Sequence, residues 1–272
     1  MLLTDDDTNK VYFSAHIQNL KIHTTLFQKL DKHQIEYELL TNTKDYWIRD
    51  FMPIQISSTE FVQYQYQPDY LKKYPQYITD SKQCLKSLEI EPKYLNVIID
   101  GGNIIKCDDR IIMTDKVFKE NRNFSKQKLI DHLEYFFQAE ISFIPWDKTE
   151  KYGHADGMVR YIGDRKILLN NYVDFDPSLR DKIVNILKPH FEIIELHYPI
   201  QYPSTRNWAY INFLQIKHLI LLPALHIAED NLALKQIQQA YPLYIVEQIE
   251  ASEIIKWGGG LHCISWNIKH HS

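Results

Sequence analysis

One cysteine, one histidine and a few aspartates in this chain keep company that suits covalent chemistry. Cys263 ends the run Gly258-Gly259-Gly260-Leu261-His262-Cys263. Three glycines remove side chains beside the thiol and permit close backbone approach. A thiol attacks as its thiolate, a form that His262 or a cationic substrate would favour. His154 and Asp156 stand two apart in Gly153-His154-Ala155-Asp156-Gly157. On an extended segment that spacing sends both side chains to one face, and an imidazole can move a proton either way near neutrality. Asp50 closes Trp47-Ile48-Arg49-Asp50. It offers a carboxylate beside an aromatic wall, the geometry that selects a planar guanidinium. Asp100, before Gly101-Gly102-Asn103, reads as either a second polar anchor or the acidic residue of a turn. Together these groups suit attack on a cationic, carbon-centred substrate.

Each of them alone has a plainer reading. A lone cysteine is usually a small buried hydrophobe, and the chain has 12 histidines. Adjacent Arg49 and Asp50 could form an ordinary pair on a solvated turn. Cys84, within an amphipathic helix near Ser81–Glu89, and Cys107, at a hairpin turn, are read as structural.

The elements that must position these groups recur in a fixed order. Two extended runs around a turn, a helix and another extended run appear at 52–99, 103–144, 157–198 and 210–249. Within them, Ser125 is placed to cap a helix reaching about Gln138, and Pro177 suits the first turn of one reaching about Pro189. A fifth start, His262–Ile268, lacks its remaining pieces. Those pieces stand at the other end of the chain, as Val11–Ala15, a helical pattern over Asn19–His33, and Glu36–Leu40. The period of about 50 residues is that of propellers and related arrays. We therefore expect an α/β ring of five ββαβ units, with the N-terminus closing the last unit so that no sheet edge is left open. The stretches before each hairpin would converge near the ring axis. They are Arg49-Asp50, Asp100–Gly102, His154–Asp156, Arg206-Asn207 and Gly258–Cys263.

Length and composition narrow the function classes. The 272 residues are 44% hydrophobic and 24% charged, with net charge −4, as expected of a single globular domain over 1–272 with no basic footprint for nucleic acid. No apolar run approaches the ~18 residues of a membrane span. The start Met1–Asp7 has no basic region followed by an apolar one, so no signal peptide is expected. Three cysteines make no disulfide framework and fit a reducing, cytoplasmic setting. The glycines form no Gly-x-Gly-x-x-Gly or Walker pattern, and the histidines no metal-ligand spacing. Neither a cofactor nor a metal is expected.

With these residues in place, the chain resembles the agmatine deiminase / bacterial (Porphyromonas-type) peptidylarginine deiminase family of guanidine-modifying enzymes over nearly its whole length. Trp47–Asp50 with Pro53 is similar to the family's Trp-x-Arg-Asp-x-x-Pro block, and Asp100–Asn103 to its acidic-Gly-Gly-polar block. Glu120–Asn123 resembles the element that follows. Gly153–Asp156, Tyr210–Leu214 and Gly258–Cys263 are similar to its Gly-His-x-Asp, Tyr-x-Asn-Phe and Gly-Gly-Gly-x-His-Cys blocks.

The resemblance implies a pentein-like five-unit propeller and a division of labour within it. Asp50 and Asp156 would bind the guanidinium, Cys263 would attack its carbon, and His154 would protonate departing ammonia and then activate water. Trp47, Arg49, Asp100, Asn212 and Gly260 would join in substrate binding. The implied partner is a small guanidino compound such as agmatine, or an arginyl peptide, and a homodimer is within the range of assemblies. Amidino transfer and a catalytically silent guanidine binder are the competing functions.

Two departures bear on the substrate. The Trp-containing N-terminal segment usual in agmatine deiminases is absent from this sequence. The loop Gln67–Tyr77 has Lys72 and Lys73 as its only cations, so the arginine clamp expected for a substrate carboxylate is not evident there. That favours a substrate such as agmatine.

Overall fold

The structure is a computed structural model describing residues 1–198 and 207–270. Four helices show the same logic, with buried residues repeating at intervals of four. These are Ile22, Leu26 and Leu30 in Ile22–Lys32, Leu129, Leu133 and Phe137 in Lys126–Phe137, Leu179, Ile183 and Leu187 in Pro177–Leu187, and Ala233 and Ile237 in Asp230–Ala240. Such a stripe holds a helix to one side of a sheet. The expected caps are present: the Ser125 hydroxyl accepts from Lys128 N, and Pro177 sits in the first turn of its helix.

Each helix connects the second and third strands of a three-stranded sheet, and there are five such sheets among the described residues. In every one the first two strands are antiparallel and the last two parallel, as in Ile105–Lys106, Arg110–Thr114 and Glu140–Ile144. The parallel pairing needs a crossover, which the helix supplies. The fifth sheet is closed by the N-terminus. Lys10–Ser14 lies antiparallel to Trp266–Ile268, with Lys10 opposite Ile268. On its other side it runs parallel to Glu36–Leu40. The expected five-unit α/β ring, closed in this way, is therefore the fold observed.

Apolar residues from neighbouring units meet between the sheets. Phe13, Leu26 and Leu30 of the fifth unit share a core with Phe213, Ile220 and Ile237 of the fourth. Ile105, Ile112 and Ile144 of the second unit pack with Val159, Ile167 and Ile183 of the third. This packing holds the units around a common axis. No described helix is long and apolar enough to cross a membrane.

The first strand of each hairpin is shorter than its apolar run suggests. Met52–Ile56 supplies only Ile54–Gln55, because Ile48–Phe51 is a helical turn and Pro53 has no N–H for a ladder. Tyr210–Ile216 reduces to Leu214–Ile216 after a 3-10 turn at Asn207–Ile211. His262–Ile268 reduces to Trp266–Ile268. The missing residues are buried against the ring axis instead of in a sheet, and hydrophobic pattern alone does not separate the two environments.

Candidate active site

Every junction before a hairpin is a short turn aimed at the axis, and the turns contact one another in sequence around the ring. Asp50 Oδ1 of the first unit accepts from Gly102 N of the second at 3.1 Å. Asp100 Oδ2 of the second lies 2.9 Å from His154 Nε2 of the third. Asn212 of the fourth donates to the Asp156 carbonyl at 3.4 Å, and its Oδ1 accepts from Cys263 N at 3.3 Å. The Cys263 carbonyl then accepts from Arg49 N at 3.2 Å, completing the circuit. Arg206 lies outside the described residues.

His154 and Asp156 do not share an extended segment. His154 is extended (φ −85°, ψ 142°), but Asp156 sits inside the 3-10 turn Ala155–Gly157. Their side chains diverge as a result, with His154 reaching Asp100 and Asp156 reaching His262 Nδ1 at 2.7 Å. The thiol contacts the Asp156 half, and His154 pairs with Asp50 in the other. Cys263 Sγ is 3.6 Å from Asp156 Oδ2 and 3.3 Å from Asn212 Oδ1, and His154 Nδ1 is 3.6 Å from Asp50 Oδ1.

Cys263, His154 and Asp50 face a cavity of ≈ 380 Å³, a size that suits a small organic ligand. Its remaining wall is largely aromatic, with Tyr46, Trp47, Tyr66, Tyr70, Tyr77, Tyr152 and Trp257. Glycine is required where backbone meets this wall. A Cβ at Gly259 would lie 1.9 Å from the Trp47 ring, and one at Gly102 would lie 2.7 Å from His154 Nδ1 and 2.9 Å from Asp50 Oδ1.

Charge is distributed to suit a cationic ligand. Burial raises the Asp50 pKa to about 7, with Asp100 and Asp156 adding to the rise against the pull of His154. Burial alone would lower His154, but Asp50, then Asp100 and Asp156, raise it to about 9. The imidazole is thus held protonated near neutral pH and can serve as an acid. Burial, then Asp156 and Asp50, push the Cys263 thiol well above its usual value.

The expectation that His262 favours the thiolate is not met. Its Nδ1 is bonded to Asp156 and its Nε2 lies 3.4 Å from Asp5. Burial, Arg49 and Arg160 lower its pKa.

Other sequence candidates take different positions. Trp47 lines the cavity, but Arg49 lies behind it, donating to the His262 carbonyl and to Asn267 Oδ1. Asp100 is 2% exposed and touches His154, outside the cavity wall. Gly260 has no room for a side chain, because a Cβ would stand 2.5 Å from Asn212 Oδ1. Lys72 and Lys73 are exposed and off the cavity wall, whereas Tyr70 and Leu71 of the same loop line it. That loop is fixed by Asp69, whose carboxylate pairs with Lys119 at 3.0 Å and Lys116 at 3.6 Å. Sequence reasoning missed the tyrosine wall and Asp45, which also lines the cavity. The one signal was their nearness to the Trp47–Asp50 block and to the Gln67–Tyr77 loop.

The model of the Porphyromonas-type peptidyl-arginine deiminase family matches residues 8–268. The chain belongs to that family. Among its relatives is a Legionella pneumophila (strain Paris) protein named "Putative agmatine deiminase", 27% identical over 214 residues, 68% of this chain and 60% of the relative. A protein of the same name from Mycoplasma capricolum is 26% identical, covering 62% of this chain and 56% of its own length. The match thus spans about 60% of the length of such relatives.

Solved structures of the same fold include Campylobacter jejuni (C. jejuni) agmatine deiminase, with TM-score 0.77, 18% identity, and 99% of this chain and 96% of that one covered. DDAH from Pseudomonas aeruginosa, in complex with citrulline, is more distant, with TM-score 0.63, 14% identity, and 96% and 99% covered. These likenesses place this deiminase-family member within the pentein fold.

Proposed function

We propose that this deiminase-family protein hydrolyses the guanidinium group of a small cationic substrate such as agmatine, giving a ureido product and ammonia. The observation that carries the proposal is the thiol of Cys263 held 3.6 Å from the Asp156 carboxylate on a cavity shared with Asp50 and His154. A guanidinium does not lose its proton at neutral pH, so a site for it must bind the cation and add a nucleophile to it.

Asp50 and Asp156 receive the guanidinium N–H groups as charge-assisted hydrogen bonds. Entry of that positive charge offsets the repulsion that keeps Cys263 protonated, and the thiol releases its proton to solvent and becomes a thiolate as the substrate binds. Sγ then forms a bond to the central carbon. One C–N bond breaks as protonated His154 supplies a proton to the departing nitrogen, and ammonia leaves. The now neutral His154 takes a proton from water, whose oxygen adds to the same carbon. The C–S bond breaks and the hydroxyl proton passes to solvent, releasing the urea and restoring the thiolate. Asp100, behind His154 Nε2, steadies the imidazolium in both steps, and Lys116 stands 3.7 Å from the same carboxylate oxygen.

The test is ureido-product formation from agmatine, free arginine and arginyl peptides, with wild type and Cys263→Ala side by side. Product from the wild type alone supports the reading. No product from any substrate at high enzyme concentration overturns it, and transfer of the amidino group to an added amine would reassign the reaction.

A further inference from the structure

We infer that Asp45 reads a second positive charge on the substrate, which makes the site selective for a guanidine whose tail ends in an amine. The inference rests on the deiminase reading above and names its substrate class. Asp45 lines the same cavity as Cys263, Asp50 and His154, but it has no described hydrogen bond or ion pair with any of them. Its Oδ1 accepts from Trp47 N at 2.9 Å, the local turn that an aspartate two residues ahead of an N–H commonly makes. No described hydrogen bond or ion pair engages Oδ2. Burial raises the Asp45 pKa to about 6, and the only opposing charge of note is His16, whose Nε2 is already bonded to the Thr43 carbonyl at 3.0 Å. A largely buried carboxylate on a cavity wall without a cation is costly, unless a ligand brings the cation.

The rest of the wall agrees with such a ligand. Between the two carboxylates the chain supplies Tyr46 and Trp47, packed edge to face at 4.6 Å, and Tyr66, Tyr70 and Tyr152 complete an aromatic sleeve. Aromatic faces accept a methylene chain and attract an ammonium. A carboxylate tail, as in free arginine, meets no arginine among the described lining residues. Apart from His154 at the reacting end, the one cation among those lining residues is Lys151, which is exposed and stands 5.5 Å from the Tyr152 ring centre. A carboxylate in this sleeve would also face Asp45 with like charge.

Asp45→Asn keeps the oxygen that accepts from Trp47 N and removes the charge, so it isolates the proposed role. The measurement is titration calorimetry on the Cys263→Ala protein, with and without Asp45→Asn, using agmatine, butylguanidine and arginine. Butylguanidine has the same chain as agmatine without its amine. The expected result is that agmatine binds more tightly than the other two, and that Asp45→Asn weakens agmatine alone, by about tenfold or more as for one charged hydrogen bond. Equal affinity for agmatine and butylguanidine would overturn the inference, as would an Asp45→Asn loss common to all three ligands or absent from agmatine. Binding is read without turnover, so a protein that binds agmatine through Asp45 yet forms no product sinks the deiminase reading and leaves this one standing. Product from other guanidines with no preference for agmatine does the reverse. Unchanged melting temperature confirms that the variant is folded.

Discussion

Two groups of buried carboxylates lie close together on the ring axis, and burial has opposite outcomes for them. On the far side of the axis, Asp5 Oδ2 pairs with Arg160 and lies 3.4 Å from His262, which in turn bonds Asp156 at 2.7 Å. Burial works to raise both acids, but Arg160 and then His262 outweigh it at Asp5, and His262, His154 and Arg49 at Asp156, so both end below the usual carboxylate range. On the cavity side, buried Asp50 and partly buried Asp45 lack enough positive charge nearby to offset their desolvation, and both are raised. The difference separates structure from binding. A carboxylate satisfied by the protein's own cations holds the fold, whereas one left short of cations is stable as an anion only when a ligand supplies the charge. Asp156 belongs to both groups. It is anchored by His262 and still reaches the thiol, so it stays ionised at neutral pH while Asp50 is free to titrate.

The largest effect should come from the thiol. Cys263→Ala is expected to reduce turnover by at least about 10³-fold, as removal of a nucleophile generally does. Its melting temperature should be unchanged or higher, because a buried thiol facing two carboxylates contributes little to folding. Residual turnover within tenfold of wild type would remove Cys263 from its proposed role and the cavity side with it.

A crossed pair of substitutions comes next. Asp50→Asn should lower kcat/KM for a guanidine by roughly 10–10²-fold, the worth of one charged hydrogen bond, with no loss of thermal stability. Asp5→Asn should do the opposite. It leaves the Arg160 guanidinium, 2% exposed, without its carboxylate, and breaking a buried pair costs about 3–5 kcal/mol. Assayed well below its lower melting temperature, Asp5→Asn should retain kcat/KM within about tenfold of wild type. Equal stability losses for the two variants would erase the distinction between the faces.

The distinction should also appear in the pH profile. Asp50 must be ionised to bind a cation, so kcat/KM should fall as pH drops below about 7. His154 must be protonated to release ammonia, so it should fall again above about 9. The plateau lies between because the acid's pKa is below that of the imidazole. The two limbs belong to the Asp50–His154 pair and not to either residue alone. Asp5→Asn should leave the acid limb in place, and a limb that moved with Asp5 would assign it to the far-side network.

What was legible in the sequence follows the same division. The axis residues were readable because chemistry and backbone constraint coincide there. Of the eight glycines in the chain, seven (101, 102, 153, 157, 258, 259 and 260) lie in the junction blocks, beside Asp50, Asp100, His154 and Cys263. The ring itself was readable from the repeated order of runs, and the helices from residues such as Leu129, Leu133 and Phe137. The tyrosine wall was not. Its members come from separate stretches, and with 18 tyrosines in the chain no single one is informative. Asp5 was hidden in Asp5-Asp6-Asp7, where only the fold shows which acid turns inward to Arg160. The turn Ile48–Phe51 was too short for helical periodicity to reveal, so nothing in the sequence pattern showed that Arg49 lies behind the cavity wall, and its expected place on the substrate side came from the family resemblance.

The smallest expected effect separates the axis glycines from the one elsewhere. Gly163 has φ +86° and nothing within 4 Å of an added Cβ, so Gly163→Ala should cost about 1 kcal/mol through backbone strain alone and leave kinetics untouched. Gly102 lacks that positive φ, but a Cβ there would press on His154 Nδ1 and Asp50 Oδ1 at once. Gly102→Ala should therefore separate the imidazole from the carboxylate. Its pH limbs should shift toward the values of less coupled groups, and kcat should fall more than stability does. Comparable stability loss in both variants with unchanged pH limbs in Gly102→Ala would show that the His154–Asp50 contact has room to yield. The division between the two faces would then rest on the Asp5–Arg160 side alone.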